Sequence, residues 1–135
     1  MQPTTQTAPV SKTRLWAGRI TTALPVLFLL FDSVIHMMKI APVVEGFEQL
    51  GYPVSLALGI GILELVCIVV YVIPGTSILG AILLTGYLGG AVATNVRIGS
   101  PLFSHVLFPV YVGALVWGGL FLREERLRAL IPLRR

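Results

Sequence analysis

Four apolar stretches, each long enough to cross a lipid bilayer as a helix, constrain this chain more than any other feature. They run from about Arg19 to Ile40, Pro53 to Ile73, Ser77 to Val96 and Pro101 to Leu122, and a spanning helix takes about 20 predominantly apolar residues. Of 135 residues, 56% are hydrophobic and only 12% charged, against roughly 45–50% and about 25% in an ordinary globular domain. One soluble domain cannot bury that surplus, so it must face lipid. The expected fold is all-α: an integral-membrane bundle of four transmembrane helices within residues 16–122. A disordered cytoplasmic N-terminus (1–15) is expected before it and a basic cytoplasmic tail (123–135) after it. The short connections make consecutive helices antiparallel neighbours.

Local signals punctuate the stretches. Pro53 and Pro101 suit the first position of a helix, where a missing N–H costs nothing. Ser100 can cap the fourth helix, and Thr76 or Ser77 the third, after the Pro74-Gly75 turn. Between the first two stretches, Val43, Phe47 and Leu50 recur at helical spacing opposite Glu45, Glu48 and Gln49. That pattern predicts a short amphipathic helix lying in the membrane interface and ended by Gly51.

The net charge of +4 resembles a nucleic-acid signal until its positions are read. Lys12, Arg14 and Arg19 precede the apolar region, and Arg123, Arg126, Arg128, Arg134 and Arg135 follow it; only Lys39 and Arg97 fall on the other side. Basic residues flanking apolar segments set topology and meet lipid head groups, so nucleic-acid binding is excluded and both termini are expected on the cytoplasmic side of an inner membrane. Trp16 and Trp117 fit interfacial anchoring. The Thr-, Gln- and Pro-rich start is no convincing signal peptide, because no small-residue cleavage pattern follows. A lone Cys67 within an apolar run excludes an intrachain disulfide and thiol-exchange chemistry of the vitamin K epoxide reductase kind on this chain, and reads as a small core hydrophobe. Gly86 and Gly90, with Gly89 and Ala93 nearby, form a small-xxx-small pattern that lets helices approach closely. It is expected to serve packing within the bundle, with a homodimer contact as the alternative.

Ionisable groups in hydrocarbon are costly and tend to face a cavity or each other. Here they are Asp32 and His36 on the first helix, Glu64 on the second and His105 on the fourth, joined by the polar Tyr87 and Asn95 on the third. Asp32 and His36 are four apart and share a helical face. With the termini inside, every helix contributes to one outward half of the bundle. Pro109 should leave the carbonyl of His105 unpaired and kink the fourth helix there, as Pro25 should free the carbonyl of Thr21. These six polar residues are the candidate ligand-binding set. As structural glue they would satisfy one another, Asp32 with His36 and Glu64 with Tyr87 or His105. As a pocket they would hold a quinone or another lipid-like molecule. A metal or haem on His36 and His105 has no support from spacing such as H-E-x-x-H, so no metal site is expected, and a proton relay is a further reading.

Residues 18–39 (GRITTALPVLFLLFDSVIHMMK), FEQLGYP at 47–53, LGIGILEL at 58–65 and the long segment from Gly86 to Arg134 resemble the DoxX-like family of small bacterial membrane proteins. The resemblance implies a four-helix membrane fold and an association with redox chemistry, through relatives linked to thiosulfate:quinone oxidation and membrane oxidoreductase assemblies. It carries over Asp32, His36, Lys39, Glu64, Tyr87, Asn95, Arg97 and His105 as candidates, with Asn95 standing where many relatives have histidine. The first functional expectation is a redox-linked membrane subunit holding a quinone-like ligand. Because no flavin, NAD, haem-attachment or iron–sulfur motif is present, its electrons would need a partner membrane or redox protein. The second is a non-catalytic accessory or assembly subunit. A small transporter ranks last, as no inverted repeat or pair of broken helices is present.

Overall fold

The computed structural model describes residues 12–130 and contains helices and turns, with no strand among the described residues. In chain order the helices are α1 (Lys12–Met38), α2 (Ala41–Leu50), α3 (Leu56–Val72), α4 (Ser77–Arg97), α5 (Phe108–Arg123) and α6 (Glu125–Leu130). Three helical segments are long and apolar enough to cross a membrane: Lys12–Met38, Pro74–Arg97 and Leu102–Arg123. The fourth apolar helix, Leu56–Val72, has 17 residues. α1 packs against α3 and α5, and α4 packs against the same two helices. The ring order is therefore α1, α3, α4, α5.

Outside this ring the surface is apolar. Ile20, Leu24, Leu27 and Phe31 make an exposed stripe along α1, as do Ile62, Val66 and Val69 along α3. Such a surface would be expelled from water and is what lipid accommodates. The helices meet through small residues where the backbones come closest. A Cβ on Gly61 would lie 2.9 Å from the Ser33 carbonyl oxygen, and one on Gly80 would lie 2.7 Å from the Tyr71 Cβ. On Gly119 it would fall 2.8 Å from the Thr22 backbone nitrogen.

Hydrogen bonds between helices accompany this packing. Ser33 Oγ donates to the Gly61 carbonyl at 2.7 Å, joining α1 to α3. The fully buried Tyr71 donates to the Val116 carbonyl at 2.8 Å, joining α3 to α5. Arg123 lies 5.4 Å from the Tyr71 ring centroid, and its Nε donates to Thr22 Oγ1 at 3.0 Å. The start of α1 and the end of α5 lie together, with Gly18 against Leu122 and Arg123. This end of the ring is closed. Cys67 sits in its apolar core with Ile68, Leu84, Val116 and Leu120.

Several boundaries differ from the sequence expectations. α1 begins at Lys12, so residues 12–15, expected in a disordered tail, are helical; residues 1–11 lie outside the described residues. Hydropathy locates the part of a helix that suits hydrocarbon, whereas the hydrogen-bond ladder runs on into polar sequence. Arg123 ends α5, and the expected basic tail beyond it forms α6, whose Leu127 is buried against the core; residues 131–135 are outside the described set. The amphipathic segment forms α2 with Val43 and Phe47 buried against Ala57. Gly51 ends it in the left-handed conformation (φ 77°), with the Gly51 and Tyr52 amides bonded to the Glu48 and Phe47 carbonyls. This is a Schellman closure, for which glycine is suited because it has no Cβ.

Pro109 does not kink a continuous fourth helix. It sits in the first turn of α5, and the chain before it, Leu102–Val106, forms a π-helical turn. The Val106 and Leu107 amides reach five residues back, to Pro101 and Leu102. The proline cannot bond the His105 carbonyl, and the backbone responds by widening its turn rather than bending. Pro25 lies buried within α1.

Candidate functional site

At the end of the ring opposite the termini, the helices part around a cavity of about 520 Å³. Two features of the backbone open it. Gly86 and Gly90 present no side chain, and a Cβ on either would meet nothing within 4 Å. They are cavity wall, which corrects their reading as a packing seam; the close approaches fall at Gly61, Gly80 and Gly119. The π-helical turn and Pro109 form the opposing wall. Phe28 and Phe108 meet edge to face at 5.2 Å between centroids, and both line the space.

Five of the six candidate residues line this cavity: Asp32, His36, Tyr87, Asn95 and His105. The sixth, Glu64, is fully buried and is reached through Tyr87, whose hydroxyl donates to Glu64 Oε2 at 3.0 Å. Glu64 Oε1 is buried with no hydrogen-bond partner. His36 Nδ1 donates to the Asp32 carbonyl at 2.6 Å and lies 3.3 Å from Asp32 Oδ2. The carbonyl only accepts, so Nδ1 carries the hydrogen. One ligand atom each from Asp32, His36 and Glu64 lie within 4.8 Å of one another.

The other two residues are held apart from that trio. Asn95 Nδ2 donates to the Ala91 carbonyl of its own helix at 2.9 Å, and His105 Nδ1 pairs with Ser104 Oγ at 2.7 Å. His36 and His105 face one cavity, yet His105 does not belong to the group of donors close enough to share an ion.

The rim contains Tyr52, which the sequence did not single out, beside Arg97, a candidate from the family resemblance. Tyr52 follows the α2 closure and bonds Thr94 Oγ1 at 2.9 Å. Arg97 stacks 5.8 Å from the Tyr52 ring centroid and donates to the Leu50 carbonyl. It ties the end of α2 to the end of α4 beside the cavity mouth. Lys39 is exposed in the link between α1 and α2, with φ 52°, and is not among the lining residues. Tyr52 stands directly after Gly51, so a helix-stop glycine followed by an aromatic residue was its available signal.

Chemically, the cavity has aromatic and aliphatic walls with a few hydrogen-bonding groups, the composition of a site for a small amphiphile. A sequence profile of the DoxX-like family matches residues 20–119, a span that includes every residue of the site. No curated protein and no solved structure matches the chain. The chain is a membrane protein that belongs to the DoxX-like family.

Proposed function

We propose that the protein is a four-span membrane bundle that holds a quinone-like molecule in the cavity at its outward end. α3 supplies the fourth span: at 1.5 Å per residue its 17 residues reach about 26 Å, close to the hydrocarbon thickness once the flanking turns are added. α2 lies in the interface, its Val43 and Phe47 turned to the bundle and its Glu45 and Glu48 exposed. Eight of the ten Lys and Arg residues flank the terminal end, which under the positive-inside rule supports a cytoplasmic side for that end, in keeping with a bacterial inner-membrane location. The cavity then opens outward.

The observation that carries the reading is the convergence of Asp32, His36, Tyr87, Asn95 and His105 on one otherwise apolar space. A quinone needs flat apolar walls for its ring and polar groups for its two carbonyl oxygens, and both are offered here. An accessory subunit whose polar side chains only bond one another describes the terminal half well, where Tyr71 and Arg123 are satisfied within the bundle. It does not account for the open half.

Extraction in mild detergent followed by mass spectrometry of bound small molecules tests the proposal. Wild-type protein should retain about one quinone or quinone-like lipid per chain. Gly90→Leu, which projects a side chain into the cavity, should fold and lose it. Equal retention by both proteins, or no enriched molecule in either, would overturn the reading, and a protein that copurifies reproducibly with an empty bundle would favour the accessory role.

A further inference from the structure

We infer that Asp32, His36 and Glu64 form a binding site for a first-row divalent transition-metal ion at the floor of the cavity. The donors come from α1 and α3, which explains why no contiguous ligand motif announces them. One ligand atom from each lie within 4.8 Å of one another. A metal with bonds of about 2.0–2.2 Å holds its donors roughly 3–4 Å apart, so modest side-chain rotations complete the set.

A second observation points to a ligand here. Glu64 is wholly buried, and its Oε1 has no partner, while Tyr87 holds the other carboxyl oxygen at 3.0 Å. A buried polar atom without a partner is expensive and calls for an explanation. The surrounding contacts are those of metal sites. The Asp32 carbonyl orients the His36 ring through Nδ1, and Tyr87 orients the Glu64 carboxyl. Charge supplies the third argument: two carboxylates and one dication sum to zero, which suits ionisable groups held at membrane depth. One imidazole with two carboxylates matches Mn²⁺, Fe²⁺, Co²⁺ or Zn²⁺ better than Ca²⁺, which takes six to eight oxygens. Asp32 and His36 line the cavity, so the remaining coordination positions face it. This inference does not depend on the identity of the molecule above the floor.

Full-length protein, purified in detergent with any affinity tag removed, is stripped with chelator and titrated with Co²⁺ as a spectroscopic probe. Wild type should bind one Co²⁺ per chain and develop visible d–d absorption. X-ray absorption should report one imidazole among oxygen donors. Glu64→Gln and His36→Gln should each weaken binding at least about tenfold, whereas His105→Gln should leave it within about twofold. Substoichiometric binding by wild type, or binding indifferent to both cluster substitutions, would overturn the site. So would two imidazoles or a sulfur in the coordination shell, a readout on wild type that stands even where a variant fails to fold. Failure to bind Co²⁺ would assign the two carboxylates to a shared proton instead, and would leave the quinone reading intact.

Discussion

Gly80 and Gly90 carry the same side chain on the same helix and do opposite work. A methyl group on Gly80 would be driven into the Tyr71 main chain, and overpacking of this kind costs about 1–3 kcal/mol. At Gly90 a methyl group meets only open space and gains about 0.5–1 kcal/mol of helical preference. Thermal unfolding in detergent should therefore fall clearly for Gly80→Ala and hold or rise for Gly90→Ala. The reverse order would mean that the seam and the cavity have been exchanged. Tyr71→Phe removes a buried hydrogen bond to the Val116 carbonyl and should cost about 1 kcal/mol or more, because the carbonyl is left without that donor. The spacing of Gly86 and Gly90 could not distinguish wall from seam, since small residues four apart permit both. What decides is the facing surface, and that is a property of the assembled helices. The ionisable residues were more legible. A carboxyl or imidazole in an apolar run stands out by cost alone, so Asp32, His36, Glu64 and His105 could be named from the sequence and expected in one half of the bundle, although the close approach of Glu64 to Asp32 and His36 could not.

At the scale of elements, α2 and the π-helical turn define the cavity end. α2 was readable because its signals are local: a period of apolar residues, opposing acids and a stop glycine. Phe47 is 4% exposed and packs against α3 through Ala57. Phe47→Ala should destabilise the protein by about 3–5 kcal/mol, measured by denaturation in mixed detergent, with the loss of cavity contacts as its functional consequence. The turn at Leu102–Val106 was half readable. Pro109 marks a missing hydrogen bond at His105, but a proline can be answered by a bend, a break or a widened turn, and neighbouring helices select among them. Pro109→Ala restores the amide and permits a regular α-helical turn that narrows the cavity. Its expected signature is unchanged or higher thermal stability together with reduced retention of the quinone-like molecule; unchanged retention would detach the π-helical turn from the site.

For the whole molecule, the four apolar segments and their order were set by hydropathy, and the ring follows because short links make neighbours antiparallel. The division of labour between the two ends was only partly visible. Flanking arginines gave the terminal end its charge, but its closure by Tyr71, Arg123 and Leu127 depends on contacts between residues far apart in sequence. The central claim is that the opposite end opens outward onto a ligand cavity, and the lone native cysteine makes it directly measurable. Cys67 is 4% exposed and can be removed as Cys67→Ala, after which Ala91→Cys places a single thiol on the cavity wall. In intact cells with the outer membrane opened, a membrane-impermeant maleimide should label that thiol, and a short-chain ubiquinone should slow the labelling. Labelling that appears only after the inner membrane is breached, or at a rate indifferent to the quinone, would contradict the account.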